Sequence, residues 1–332
     1  MELHIPALGR VLPAAPGANL LATLREHGVP ISYSCTAGRC GTCRCKLIEG
    51  KLGTTEGGRA ADEEEGGRYV LACTSVLIDS CIIEVPEPDE VITHPARILK
   101  ATVTAVDQLT HDVRRLRLRP AKPLAFSPGQ YATLQFTPEH IRPYSMAGLM
   151  TDEELEFHVR VVQDGQVSGY IDRQLKPGDT VRVSGPLGTS YLRRKHEGPM
   201  LCVAGGTGLA PVLSIVRGAI DAGMRNDIHL YFGVRGPRDV YGIDTLSRLA
   251  EEHRNLHLHV VVADGAAGEG MRSGLRSGLV TDAVAQDWAS LEGWRAYLCG
   301  APPMVDAATL VARERGIAFE HIYADAFYAK AA

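Results

Sequence analysis

Eight cysteines are the residues of this 332-residue chain whose type and spacing point most directly to chemistry. Five fall early, at Cys35, Cys40, Cys43, Cys45 and Cys73, while Cys81, Cys202 and Cys299 lie scattered beyond. Cys35, Cys40 and Cys43 follow a C-x4-C-x2-C spacing and Cys73 comes far downstream, a pattern that suits a [2Fe–2S] centre. Two irons need four thiolates arranged tetrahedrally; a tight loop can supply three of them and a separate strand end the last. The intervening residues are small where backbone must wrap round a cluster, and Gly38 and Gly41 can take positive φ and turn amides towards the sulfurs. Zinc is the competing metal, but its usual ligand sets come as two separated C-x2-4-C units, and only Cys73 remains downstream at a suitable distance. A disulfide framework fits a short secreted chain rather than one of this length. Cys45 and Cys81 read as small buried hydrophobes.

Two further groups of residues could hold anionic cofactors. In Arg142-Pro143-Tyr144-Ser145 the arginine offers a fork for phosphate, the tyrosine a flat face for an aromatic ring system, and the serine a hydroxyl at that ring's edge. The pattern gains weight from Gly165-Gln166-Val167-Ser168 downstream, which reads as a pyrophosphate loop opening a helix, with Gly165, Val167 and Ser168 as contacts. His158 and Arg160 lie on the polar face of the preceding strand, either reaching a cofactor or facing solvent. Ala204-Gly205-Gly206-Thr207-Gly208-Leu209 closes an apolar strand and opens a helix, where glycines let a dinucleotide approach main-chain amides. Cys299-Gly300-Ala301-Pro302 repeats that geometry later, with Cys299 at a strand's carboxyl end, as a ligand contact or a structural core residue. Arg235 and Arg238 follow the second strand of that region and could accommodate a ribose 2′-phosphate, whereas Asp239 could favour the free hydroxyl.

The elements that position these groups fall into three blocks. Asn19 N-caps a short helix ending at Gly28, inside a first block of short strands and cysteine loops that closes in the stiff, Pro- and acid-rich run 84–90. Period-two alternation in 115–119 and 155–161 predicts half-buried strands, and several such strands between Pro/Gly turns predict an antiparallel barrel. Beyond it, apolar runs at 200–204, 228–234, 256–263 and 294–299 alternate with helical patterns at 209–222 and 245–252, which predicts a doubly wound parallel sheet. The expected domains are 1–90, a linker at 91–96, 97–197 and 198–332. The tandem Arg-Ser-Gly-Leu at 272–279 reads as an elongated loop, and the acidic run Asp62-Glu63-Glu64-Glu65 as a solvated one.

Composition bounds the function. With 45% hydrophobic and 22% charged residues the chain is globular, and 35 basic against 39 acidic side chains give no electrostatic reason to bind nucleic acid or an anionic membrane. The most apolar stretch, 200–216, is broken by Gly205, Gly206, Gly208 and Pro211, so no membrane span is expected. The first residues lack a secretion signal, and a cytoplasmic location follows as the expectation.

In order and spacing these motifs resemble the reductase components of naphthalene-type aromatic-ring dioxygenases, in which a plant-type ferredoxin domain is fused to a ferredoxin–NADP reductase-like module. The likeness runs through Tyr33-Ser34-Cys35, Tyr69-Val70-Leu71-Ala72-Cys73, His94-Pro95-Ala96-Arg97, Arg142-Pro143-Tyr144-Ser145 and Ile322-Tyr323-Ala324-Asp325-Ala326-Phe327. It implies a multidomain chain: a β-grasp [2Fe–2S] ferredoxin domain, an antiparallel β-barrel binding FAD, and an α/β domain binding NADH, with NADPH as a second donor. By the same resemblance Arg142, Tyr144 and Ser145 hold the flavin and Ser168 its phosphates. Gly206, Thr207 and Cys299 flank the nicotinamide nucleotide, and Phe327 lies near the flavin ring. Ser145 and Cys299 are the expected catalytic pair. Departures are Ala204 in place of a further glycine, the 272–279 loop, and a C-terminus without the usual proline.

The implied activity is transfer of electrons from a two-electron donor through a flavin and a cluster to a one-electron acceptor, a Rieske-type ferredoxin, by a monomeric reductase. Three alternatives stay open on sequence alone: direct delivery to a monooxygenase hydroxylase, a redox-sensing module that only binds nucleotide, and a zinc-stabilised scaffold.

Overall fold

The computed structural model describes residues 1–328 except 32, 34, 35, 37, 39–42, 56–61, 65, 66, 86–89 and 265–274. The chain divides into two compact units, Met1–Thr93 and His94–Ala332.

In the first unit β1 (Glu2–Ile5), β2 (Arg10–Pro13), β3 (Arg44–Glu49), β5 (Asp62–Glu64), β6 (Gly67–Leu71) and β8 (Cys81–Glu84) form one sheet in the order β2-β1-β8-β3-β6-β5. β4 (Leu52–Thr54) and β7 (Ser75–Leu77) pair separately. Among the described residues of this unit only β1 and β8 run parallel, as a β-grasp fold requires, and helix α1 (Leu20–Glu26) buries Leu20, Leu21 and Leu24 in the unit's core. That helix starts where the sequence expects it: Asn19 Oδ1 accepts the Ala22 amide at 3.0 Å, satisfying an otherwise orphaned donor. Two expectations shift. The acidic run is no loop along 62–64, whose backbone forms edge strand β5. The run read as a linker begins later, since Glu84 closes β8 and Val85 is buried in the core.

The second unit opens with an antiparallel sheet of β9 (Arg97–Gln108), β10 (Val113–Pro120), β11 (Tyr131–Gln135), β12 (Ile141–Ser145), β13 (Leu155–Arg160) and β14 (Thr180–Leu187), ordered β12-β11-β14-β9-β10-β13. A bridge between Met146 and Phe157 and the bond from Ala147 N to Glu156 O, 2.8 Å, nearly close it into the expected barrel. Leu116, Leu118, Phe157 and Val159 fill its interior, the inward halves of the alternating runs. Helix α2 (Gln166–Arg173) follows β13.

The rest is a six-stranded parallel sheet of β15 (Met200–Gly205), β16 (Ile228–Val234), β17 (Leu256–Val262), β18 (Leu275–Ser277), β19 (Arg295–Gly300) and β20 (Ile322–Ala326), ordered β18-β17-β16-β15-β19-β20. Helices α3 (Leu209–Asp221), α4 (Ile243–Glu252), α5 (Val280–Asp287) and α6 (Pro302–Glu314) cover it. Its strands are apolar throughout because both faces are buried: Cys202 and Ala204 point into one core, Leu201 and Val203 into the other. Leu275–Ser277, expected as part of a loop, pairs as edge strand β18; the first part of the tandem lies outside the described residues. No helix among the described residues is long and apolar enough to cross a membrane.

Candidate functional site

Of the four expected cluster ligands, Cys35 and Cys40 lie outside the described residues. Cys43 stands at the entry to β3 and Cys73 in the turn after β6. Cys73 N donates to Cys43 Sγ at 3.4 Å and Gly38 N to Cys73 Sγ at 3.3 Å. Gly38 makes this approach at φ +73°, with Thr74 packed so close that a Cβ would stand 2.9 Å from its methyl group. The turn is held from the helix side as well, since Asn19 Nδ2 donates to Cys73 O at 2.9 Å. The hydrogen bond with Cys73, and then burial, push the Cys43 thiol upwards. Two sulfurs this close and facing amide donors suit a pair of thiolates once a metal centre supplies positive charge. Cys45 and Cys81 are buried, and burial pushes their thiols up to about 12 and about 11, as inert core residues should behave.

On β12 the alternation of the strand leaves Arg142 and Tyr144 half-buried and turns Ser145 inward. Arg142 has no hydrogen bond or ion pair among the described residues, so its fork is open to an anion. Helix α2 begins at Gly165 without a side-chain cap, which leaves its first amides unsatisfied. The Ser168 hydroxyl is spent on the loop itself, accepting from Val162 N at 3.1 Å and facing Gly165 O at 3.5 Å, and Val167 packs on the barrel core. What this turn can offer a phosphate is therefore main chain. His158 is neither solvated nor open: it is buried, with Nδ1 on Tyr241 Oη at 3.1 Å and Nε2 on Glu156 at 3.0 Å.

The parallel sheet reverses its order between β15 and β19, and the crevice outside their carboxyl ends is where such sheets bind ligands. The glycine turn 205–208 lies there, opening α3. A Cβ at Gly208 would overlap the Cys299 carbonyl oxygen, so the turn admits no side chain there, while one at Gly205 would stand 2.8 Å from the terminal methyl of Met304. Gly206, at φ +55°, lies beneath the Arg160 guanidinium, whose Nη2 would be 3.1 Å from a Cβ. Arg160 Nε is 3.3 Å from Asp112 Oδ2, an ion pair without hydrogen-bond alignment. Thr207 is half-buried at the loop's tip. Arg235 is exposed but paired with Asp112 at 3.0 Å and Asp239 at 3.5 Å; Arg238 is exposed with no partner among the described residues. Asp239 is buried and spent on the Gly236 amide at 2.9 Å, which takes it away from any ribose hydroxyl.

Cys299 is fully buried, and its Cα neighbour across the ladder is Asp325 on β20. Ser145 Oγ, from the barrel, donates to Asp325 Oδ2 at 3.4 Å. This joins the two residues expected to be catalytic through a carboxylate that sequence reasoning passed over. Desolvation, offset in part by Ser145, pushes Asp325 up to about 6, and the residue as a whole is half-buried at the end of its strand. Its signal in the sequence was an acid at the carboxyl end of a parallel strand, one strand from Cys299. Phe327 N donates to Gly300 O at 2.8 Å, which ties the backbone of this half-buried residue to the same strand ends.

Comparison with known proteins agrees with this division. The 2Fe-2S iron-sulfur cluster binding domain model matches residues 4–77, the oxidoreductase FAD-binding domain 100–191, and the oxidoreductase NAD-binding domain 202–309. The chain is 58% identical, over 99% of both chains, to the ferredoxin–NAD(P)+ reductase component of the naphthalene 1,2-dioxygenase system of Pseudomonas putida. It is 35% identical to the reductase subunit of an aromatic O-demethylase of Amycolatopsis, covering 98% of this chain and 99% of that one. Among solved structures, a cytochrome P450 reductase of Amycolatopsis superposes with a TM-score of 0.71 at 34% identity, covering 98% of both chains. The ferredoxin reductase of carbazole 1,9a-dioxygenase does so at 0.68 and 28%, with the same coverage.

Proposed function

The chain belongs to the ferredoxin–NAD(P)+ reductases that carry [2Fe–2S], FAD and NAD domains in one polypeptide, and on that premise we propose that it draws electrons from NADH, and also from NADPH, for a Rieske-type ferredoxin serving an aromatic-ring dioxygenase. When bound, the flavin takes a paired-electron donation and releases it singly, and the cluster carries single electrons onward. The observation that carries the site assignment is the contact of Ser145 with Asp325 beside Cys299, at strand ends that adjoin the glycine turn. In this reading Ser145 and Asp325 fix the flavin's reactive edge, and Cys299 holds the nicotinamide against it. Arg142 and the first amides of α2 take flavin phosphates. Gly205, Gly206, Thr207 and Gly208 receive the dinucleotide pyrophosphate under Arg160, and Cys35 and Cys40 complete the cluster with Cys43 and Cys73. His158 acts from behind by holding Tyr241, whose hydroxyl lies 3.3 Å from Gly206 O. The domain limits that fit this reading are 1–90, 97–197 and 198–332, in a cytoplasmic monomer.

Identity of 58% to the ferredoxin–NAD(P)+ reductase components of a naphthalene 1,2-dioxygenase system and of a naphthalene 1,2-dioxygenase/salicylate 5-hydroxylase system, against 30% to a phenol 2-monooxygenase reductase, favours a ferredoxin acceptor over a monooxygenase hydroxylase. The test is direct: iron, sulfide and flavin are quantified on anaerobically purified protein, which is then titrated with NADH and mixed with a Rieske ferredoxin or with a hydroxylase. Two iron, two sulfide and one flavin per chain, with reduction of the ferredoxin alone, are expected. Colourless protein, or preference for the hydroxylase, overturns the reading.

A further inference from the structure

We propose that Asp112, a carboxylate of the flavin lobe, governs the choice between the two pyridine nucleotides by occupying Arg235. Asp112 stands in the turn between β9 and β10, mostly buried, with Oδ1 held by the Thr110 hydroxyl at 3.0 Å. Its other oxygen, Oδ2, is shared: Arg235 Nη2 donates to it at 3.0 Å, and Arg160 Nε lies 3.3 Å away. Arg235 is the first residue beyond β16, and the end of the second strand is where a doubly wound sheet meets the ribose 2′ position. A 2′-phosphate there must take the Arg235 fork from Asp112 and bear the carboxylate's repulsion; a 2′-hydroxyl pays neither cost.

The sharing of one oxygen adds a coupling. Arg160 lies over Gly206, where a pyrophosphate would draw it off Asp112 and leave Oδ2 wholly to Arg235. Binding of the part common to both nucleotides thus tightens the pair that disfavours the phosphorylated one. Neighbouring charges do not replace Asp112. Asp239 gives Oδ2 to the Gly236 amide and meets Arg235 Nη2 only through Oδ1 at 3.5 Å, against 3.0 Å from Asp112, and His111 Nε2 stands 3.9 Å from Asp112 and 3.7 Å from Asp239. Arg238 is left as the cation open to either nucleotide.

This inference rests on the docking of pyridine nucleotide at the 205–208 turn. Steady-state assays of the flavin- and cluster-loaded protein with NADH and NADPH compare wild type, Asp112→Asn, Asp112→Glu and the double variant Asp112→Asn/Arg235→Ala. Asp112→Asn should raise the NADPH-to-NADH ratio of kcat/KM about fivefold, the size of one screened unit charge at contact distance. The change should sit in KM for NADPH and shrink as salt rises from about 0.02 M to about 0.5 M. Asp112→Glu should keep the wild-type ratio, and the double variant should lose the gain. An unmoved ratio in Asp112→Asn with full flavin content, or a gain that survives without Arg235, overturns the proposal. Failure of either nucleotide to reduce the wild-type protein would instead remove the site assignment beneath it.

Discussion

Replacing Asp325 with Asn separates what this carboxylate costs the fold from what it does at the site. Its ionisation is displaced from the ordinary 3.8 up to about 6, chiefly by desolvation, with the Ser145 hydrogen bond pulling the other way. A displacement of about 2 pH units corresponds to about 3 kcal/mol of preference for the protonated form. Because the folded value lies above the unfolded one, the stability linked to this group is fully present below pH 3.8 and is lost as pH rises through about 6. Asparagine keeps the shape and can still accept from Ser145, but it carries no charge. Because Asp325 is only half-buried as a residue, the expected gain is reduced to about 1–2 kcal/mol.

Asp325→Asn should therefore be more stable than wild type by about 1–2 kcal/mol near pH 8, with the difference closing towards pH 4. Urea titrations at a series of pH values, followed by tryptophan fluorescence, would measure it. Both tryptophans, Trp288 and Trp294, lie in the second unit, and subtracting wild type cancels the other carboxylates. The same variant should lose about tenfold in the rate of flavin bleaching by NADH, since a negative charge no longer stands beside the ring that becomes cationic. Wild-type bleaching should quicken as pH rises through about 6, and the variant's should not. A variant less stable than wild type near pH 8, or a stability difference that ignores pH, would refute the assignment of a buried ionised carboxylate.

Three other outcomes are expected. Cys43→Ser should abolish cluster absorbance and acid-labile sulfide while NADH still reduces ferricyanide through the flavin; a retained cluster spectrum would exclude Cys43 as a ligand. Gly208→Ala forces a side chain onto the Cys299 carbonyl oxygen and should cost at least about 3 kcal/mol, lowering Tm by several degrees and raising KM for NADH. Wild-type melting and KM together would contradict that crowding. Arg142→Ala should weaken flavin retention about 10- to 100-fold, the loss of charge-assisted bonds to a phosphate, seen as free flavin after dilution and ultrafiltration; undiminished flavin content would count against a phosphate contact.

Much of the fold is legible because local chemistry and tertiary structure agree. The apolar run 228–234 is a strand over those same residues, since burial on both faces removes the polar alternation and a turn follows at once. The helix after Asn19 starts at its cap, and the glycine turn stands where strand gives way to helix. Short edge strands are not legible in this way. Leu275–Ser277 and Asp62–Glu64 carry too few residues for a period, and each is a strand through backbone pairing with its neighbour. Ser168 is read from its place in the 165–168 turn and His158 from the polar face of its strand, and in the fold their polar atoms already have partners in the protein.

The residues that escaped a linear reading share a physical reason. Asp325 meets Ser145 across 180 positions of chain, and Asp112, held locally by Thr110, meets Arg235 across 123, so the partner that gives each carboxylate its place at the site is not a sequence neighbour. Both stand where barrel and parallel sheet meet, where strand ends supply backbone by topology and only side chains can supply charge. Around the crevice Arg142 and Arg238 are cations without partners among the described residues, and Arg160 is only loosely paired. On the proposed reading such a rim attracts the phosphates of both cofactors but cannot by itself order their reacting rings. The crevice therefore needs a fixed negative centre, and Asp325 supplies it at a cost in stability that a surface acid would not incur. A carboxylate retained against desolvation, bonded to a serine from the other lobe and level with a buried cysteine, fits the chemistry proposed at that point better than a packing role.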